Sequence, residues 1–536
     1  MSAEAAIALD GRDLHAARLI KRAERARGEG KVDKAARLYH ELLQHDPRSF
    51  DALHGLGLLH FTSGRLDAAL MFCQEALKRD GCRVDGFSTL GLVFHALKDF
   101  ARALTSYDAG LRLDPGNADL LNGRGVVLLE LRRHEDALES FDRALACEPD
   151  HPDALANRAN ALLRLNRVAE AVETYDRALE RTPNSAAIHA NRAAALRRLD
   201  RPQEAVMSAA AALKIDPDHA HARFVESVAR LTLGDFAAGW RAYESRWRIG
   251  WLASQRRDFG APLWLGKEPL DGKTILLHAE QGMGDTIQFV RYAPLLAARG
   301  ARVVLEVQAE LVTLLARMPG LAVVIARKQS LPPYDFHCPL MSLPFAVGTT
   351  LDTIPAAVPY LRAAHADIAA WSARLLQGRP HVGLVWSGMR SHDNDLNRSI
   401  RLATLAPLLD LPDITFVSLQ HEVRGCDADY LQSRRNVTAI GAEFRDFADT
   451  AAAIETLDAV VAVDTAVAHL AGALAKPLFL MLPFAADFRW LRERADSPWY
   501  PSARLIRQPC FGDWDSAVNL LRQQVARLPL RHGKAA

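Results

Sequence analysis

The sequence predicts a chain in two halves: an all-α superhelix of repeated helical hairpins, then an α/β region of two strand–helix lobes. Two observations carry this expectation. Residues recur on a 34-residue lattice through the first half, and the second half holds short apolar runs that end in glycine-bearing turns. The 536 residues are 49% hydrophobic, and 66 basic against 64 acidic side chains leave a formal charge of +2. So balanced a chain has no overall field for a polyanion, which argues against nucleic acid or anionic lipid as the main partner. The six cysteines (Cys73, Cys82, Cys147, Cys338, Cys426, Cys510) show no CxxC or metal-ligand spacing, so no zinc site or disulfide framework is expected. The amino terminus, MSAEAAIALDGRDLHAARLIKRAER, is charged throughout and lacks the apolar core of a signal peptide. The most apolar stretch, 459–486, is broken by Asp464, His469 and Lys476, which suits buried strand, loop and helix rather than a membrane span. The expectation is a cytoplasmic protein with no transmembrane segment and no resident metal.

The repeat is defined by several rows at one period. Pro47, Pro115, Pro149, Pro183 and Pro217 share a lattice on which Gly81 fills the vacant node. Ala35, Ala69, Ala103, Ala137, Ala171 and Ala205 form a second row, continued by Ala237 with a slip of two residues. Small residues Ala23, Gly57, Gly91, Gly125, Ala159 and Ala193 form a third, and Tyr39, Tyr107, Phe141 and Tyr175 follow the alanine row by four. Small residues let two antiparallel helices approach, an aromatic fills the wedge to the next pair, and proline ends the second helix. The pattern resembles the tetratricopeptide repeat across 16–248, after an extension at 1–15. That resemblance implies a groove for a peptide or protein. Arg124, Arg158 and Arg192 recur at the same period, and Asn157 and Asn191 precede two of them. They are candidate groove residues; the competing reading is a solvated polar ladder copied by duplication.

The repeat decays after Gly234 into a connecting segment at 249–270. Trp240, Tyr243, Trp247 and Trp264 around this join predict rigid packing rather than a flexible tether. Beyond it, TILLH (274–278) reads as a buried strand, AEQGMGD as a turn, TIQFVRYAPLLAARG as a helix and ARVVLEV as the next strand. A second set begins at HVGLVWSG and includes a helix near 401–410 and the strands ITFVSLQ and DAVVAVD. The lobes are placed at 271–378 and 379–525, with a tail at 526–536. A dinucleotide fingerprint fails at its third glycine, where GMGDTI places Ile287, so an oxidoreductase is disfavoured.

The strongest chemical signal is DTAVAHLAGAL, 464–474, where a buried strand opens into a helix. Free amides at Thr465, Ala466 and Val467, with the positive end of the helix dipole, suit a diphosphate; the alternative is an ordinary turn capped by Thr465. HAEQGMGDTIQFVRY, VGLVWSG, DLNRSIRL, DTAVAHLAGAL and DSPWYPSARLIRQ together resemble repeat-fused bacterial members of the heptosyltransferase-like class of GT-B glycosyltransferases, over 271–525. The two-part plan also mirrors that of O-GlcNAc transferases, without a close match to their catalytic segment. The resemblance implies an all-α tetratricopeptide-repeat superhelix followed by an α/β GT-B domain made of two Rossmann-like lobes.

It further implies inverting, metal-independent transfer of a sugar from a nucleotide-diphosphate donor to a protein or surface-glycan acceptor recruited by the repeats. Asp285 falls on the class's proposed base, with helix capping as the competing role. Arg398 matches the region of its diphosphate cation, although this sequence has arginine followed by Ser399 where many members have lysine. Gly282, Gly284, Ser387, Gly388, Gln420, Asp464 and His469 complete the implied donor site; His469 reads equally as a packed core histidine. Arg489, Trp499 and Arg507 are candidates to close over donor or acceptor. Asp393 and Asp395 superficially resemble a metal-binding DxD motif, but a loop reading is preferred. The alternative function is a repeat-based adaptor whose GT-B domain is inactive.

Overall fold

The computed structural model describes residues 3–375, 379–392 and 394–528. It divides into two compact units, 1–195 and 196–536. The first helix, Ala3–Gly28, begins inside the segment read as an extension. Asp393, most of the carboxy-terminal tail and the residues around the proposed lobe boundary at 378 lie outside the described residues. Among the described residues, no helix is long and apolar enough to cross a membrane.

Helical hairpins follow one another from Ala3 to Tyr243; the proline row is exposed in the turns between hairpins, while the alanine and small-residue rows are packed. The alanines at 35, 69, 103, 137, 171 and 205 are fully buried. A Cβ added at Gly57 would lie 2.6 Å from Cys73 Sγ, at Gly91 2.6 Å from the Tyr107 ring, and at Gly125 2.5 Å from the Phe141 ring. The glycine row is therefore the socket for the aromatic row. At the seventh node the expectation of a slip is corrected: Ala237 is exposed, and the unslipped position is Gly239, whose added Cβ would meet Leu231 at 2.8 Å. A further row was not anticipated. Gly30, Gly64, Lys98, Arg132, Asn166, Asp200 and Gly234 all have positive φ and turn the chain between the helices of each hairpin.

The second unit contains two separate, wholly parallel sheets. Strands β1 (Thr274–His278), β2 (Arg302–Val307), β3 (Leu321–Ala326) and β4 (Phe336–Pro339) form the first, in the order β3-β2-β1-β4. The second comprises β5 (His381–Val385), β6 (Thr415–Ser418), β7 (Val437–Ala439), β8 (Ala459–Val463), β9 (Leu478–Leu482) and β10 (Ala503–Arg507), in the order β10-β9-β8-β5-β6-β7. The central strands AVVAV and LFLML are buried at every position, as expected for parallel strands covered on both faces. The helix expected over 286–300 is broken into Met283–Phe289, a 3₁₀ turn and Ala293–Ala297, with Pro294 at the start of the last piece.

The join is rigidly packed. Trp240, Tyr243 and Trp264 are buried, Trp247 is half-buried, and the Trp240 ring meets Phe289 at 5.8 Å and Phe488 at 5.6 Å. Beside them lies Arg246, wholly buried. Its guanidinium donates to Glu244 at 2.8 Å, to both Glu280 oxygens at 3.0 Å and to Ser342 at 2.7 Å.

Candidate functional site

In open parallel sheets the crevice lies beyond the carboxyl ends of strands, where the strand order reverses. In the second sheet that point is between β5 and β8. The turn after β5 carries Ser387 and Gly388, and the turn after β8 carries Asp464 to Val467. In the first sheet β1 stands between β2 and β4, and the turn after it carries Gly282 to Asp285. Topology thus brings the sequence-predicted residues to strand ends, and the turns meet. A Cβ on Gly284 would lie 2.9 Å from His469 Cδ2 and 3.3 Å from Ala466 Cα, so only glycine permits this approach.

Asp285 does two things at once. One oxygen accepts from the Gly282 amide at 2.9 Å, which caps helix Met283–Phe289, while the other accepts from Arg489 at 2.5 Å. Burial raises its pKa and the Arg489 guanidinium opposes the rise. Arg489 also bonds Asp487 at 2.7 Å and Gln288 at 2.8 Å, and so reaches the turn that carries Asp285. Trp499 does not: it is fully buried against Phe236 and Phe289, and Arg507 bonds the carbonyls of Arg494 and Trp490.

The turn after β8 remains partly exposed from Asp464 to Val467. The first amides of helix Ala466–Ala473 have no acceptor within the helix. The Thr465 side chain does not cap it, and its hydroxyl is buried without a hydrogen-bond partner. Ser387 Oγ and Arg398 Nε share that condition. Buried polar atoms left unbonded are costly, and here three flank the same strand ends. Arg398 donates to the Asp464 carbonyl at 3.0 Å, which holds the guanidinium at the helix start. Asp464 is pushed up to about 6 by burial and by Asp487.

Two predicted donor contacts are already occupied by the fold. Gln420 accepts from the amides of Trp386 and Ser387 at 3.3 and 3.2 Å and donates to the Ser387 carbonyl at 3.0 Å, so it shapes the turn. His469 is buried, lies 3.0 Å from the Tyr500 hydroxyl, stacks on Trp490 and is pushed down to about 3 by burial and Arg489. It is a neutral core histidine. Arg424, which the sequence reading missed, donates to the Gly388 carbonyl at 3.0 Å, Asp395 at 2.6 Å and Ser399 at 3.2 Å. Asp395 is therefore the partner of an arginine, and it opens the short helix Asp395–Arg398 where a loop was expected.

The arginine row of the first unit is likewise engaged. Arg124 bonds Asp108 at 2.8 Å and Ser140 at 2.6 Å; Arg158 bonds Asp142 at 2.6 Å and Thr174 at 2.8 Å; Arg192 bonds Asp176 at 2.5 Å. Asn157 donates to Asn122 at 3.0 Å and Asn191 to Asn160 at 3.3 Å. These residues tie neighbouring helices together. Surface hollows lie elsewhere, one of ≈ 520 Å³ lined by Asp142 and Arg167, another of ≈ 250 Å³ lined by Arg374 and Asp449. Several of their lining charges are engaged in ion pairs (Asp142 with Arg158, Arg167 with Glu170, Arg374 with Glu443, Arg445 with Asp449), whereas the strand-end crevice holds unbonded buried polar atoms and is the stronger candidate.

The tetratricopeptide-repeat family model matches residues 20–81, 89–152, 129–186 and 156–218. The first half carries tetratricopeptide repeats. The chain is also similar to Protein FlbA of Caulobacter vibrioides, 25% identical over 331 residues that cover 56% of this chain and 54% of FlbA. It thus spans about half the length of that relative. Among solved structures it is similar to PilF of Pseudomonas aeruginosa (18% identity, TM-score 0.37, 40% of this chain and 97% of that one). It is similar as well to a thermophilic tetratricopeptide-repeat protein of Thermus thermophilus (25% identity, TM-score 0.31, 34% and 98%).

Proposed function

We propose that the second half is a two-lobed GT-B glycosyltransferase domain of the heptosyltransferase-like class and that the tetratricopeptide repeats recruit its protein or glycan acceptor. The observation that supports this most is the meeting of Asp285, from one sheet, with the Thr465–Val467 helix start, Arg398 and Arg489 beyond the other. In this reading the helix amides, Arg398 and the Ser387 and Thr465 hydroxyls receive the diphosphate of a nucleotide sugar. The acceptor hydroxyl attacks the anomeric carbon as the bond to the diphosphate oxygen breaks. Its proton passes to Asp285, and the diphosphate leaves with the electron pair, its charge met by fixed cations and dipoles rather than by a metal. Burial raises the pKa of Asp285, the direction that strengthens a carboxylate as a base. In this reading the protein works in the cytoplasm.

One observation favours the second reading, a protein-binding adaptor with an inactive domain: Asp285 is engaged by Arg489, which weakens it as a base. A thermal-shift screen against nucleotide diphosphates and their sugars, paired with a turnover assay, separates the two. Transferase chemistry predicts a melting-temperature rise with one donor, unaffected by EDTA, retained in Asp285→Asn while turnover is lost, and abolished in Arg398→Ala. No rise with any donor in the folded protein selects the adaptor.

A further inference from the structure

The hairpin that opens the repeat array places three exposed ligand-type side chains together. Helix Ala3–Gly28 turns back at Gly30, with positive φ, into helix Val32–His45. Leu19 and Ala23 of the first pack with Ala35, Leu38 and Leu42 of the second in one core cluster. This antiparallel register sets His15 opposite His45, the two being equally far from the turn, and the rings meet edge to face at 5.5 Å. Glu41 lies one helical turn before His45 on the same face. The available imidazole nitrogens and carboxylate oxygen of His15, Glu41 and His45 lie within 4.8 Å of one another.

We propose that these three residues bind a divalent ion of the zinc class. Two imidazoles and one carboxylate suit zinc, whereas calcium and magnesium prefer oxygen alone. Ligand atoms about 2.1 Å from a tetrahedral ion stand roughly 3.4 Å apart, a separation that small rotamer changes in exposed side chains reach from the observed spread. Three protein ligands leave a fourth position for water. The ion joins the two helices at the end of the hairpin away from the turn, and so holds helix Ala3–Gly28 against helix Val32–His45.

Zinc chloride titrated calorimetrically into the tag-free full-length chain should bind one ion per chain. His15→Ala and His45→Ala should each weaken binding at least about tenfold. His365→Ala, an exposed histidine in the other unit, should leave binding unchanged. Zinc should also slow hydrogen exchange in helix Ala3–Gly28 of the wild type but not of His45→Ala. The proposal is overturned by the absence of saturable binding, by binding undiminished in both variants, or by exchange in that helix that ignores zinc.

Discussion

Replacing Arg246 by methionine removes the cation that the buried Glu280 and the half-buried Glu244 share at the join. Three charges in that cluster sum to minus one, and burial drives Glu280 up to about 7 against the pull of Arg246, with Glu244 and Asp285 adding to the rise. The direction fixes the pH dependence. A carboxyl raised above its unfolded value contributes full stability below the ordinary glutamate range and loses it as pH rises through about 7. Without Arg246 the carboxyl titrates higher still. At alkaline pH, Arg246→Met should destabilise the second unit by about 3–5 kcal/mol, the range for a buried pair stripped of one partner. That corresponds to a melting-temperature drop of roughly 6–10 °C. Near pH 5, Glu280 is neutral in both proteins and the difference should shrink to about 1–2 kcal/mol of lost hydrogen bonds. Adding Glu280→Gln should recover much of the alkaline loss. All nine tryptophans, from Trp240 onward, lie in the second unit, so intrinsic fluorescence follows it without signal from the repeats before Leu196. A loss of equal size at both pH values would refute the charge argument and leave only a packing defect.

Gly284→Val forces a side chain into His469 and Ala466, and should cost about 1–3 kcal/mol of stability by overpacking; an unchanged thermal melt would sink the close approach of the two turns. Arg132→Gly should stabilise the first unit by about 0.5–1 kcal/mol, because Arg132 holds a positive φ that glycine adopts without steric penalty; circular dichroism melting reads this, and a lower midpoint contradicts it. Asp464→Asn should flatten the pH dependence of stability. A carboxyl raised to about 6 weakens the folded state as pH rises through that value, so the variant should melt higher than the wild type above neutrality and equally near pH 4. Parallel curves would count against it.

The helical half was legible because its information is periodic and local: a glycine and the aromatic that fills it stand 16 residues apart, on rows visible in one chain. The slip assigned to Ala237 came from following residue type rather than position, since the node itself holds Gly239. The arginine row was visible, but its destination lay in companion rows, Asp108, Asp142 and Asp176 before it and Ser140 and Thr174 after it, on the same lattice. In the second half, strands and glycine turns announced the crevice because parallel topology places such turns together. Arg246 and Glu280 had no such signature. They are 34 residues apart across the join, and only folding reveals that one neutralises the other. Gln420 and His469 show the converse: the right residue types near a crevice, with their polar atoms committed to shaping it.

The aspartate–arginine–hydroxyl tie has a consequence for how such a chain can change its length. Each tie reaches only from one helix to the next hairpin, always with the same step. Excising residues 118–151 would bring Arg158 into the place of Arg124, with Asp108 before it and Thr174 after it, and every remaining tie would find an equivalent partner. Removing half as much would set helices of opposite kind against one another and break the series. The array can therefore grow or shorten by whole hairpins through unequal recombination, while anything less than a whole unit is rejected by the fold.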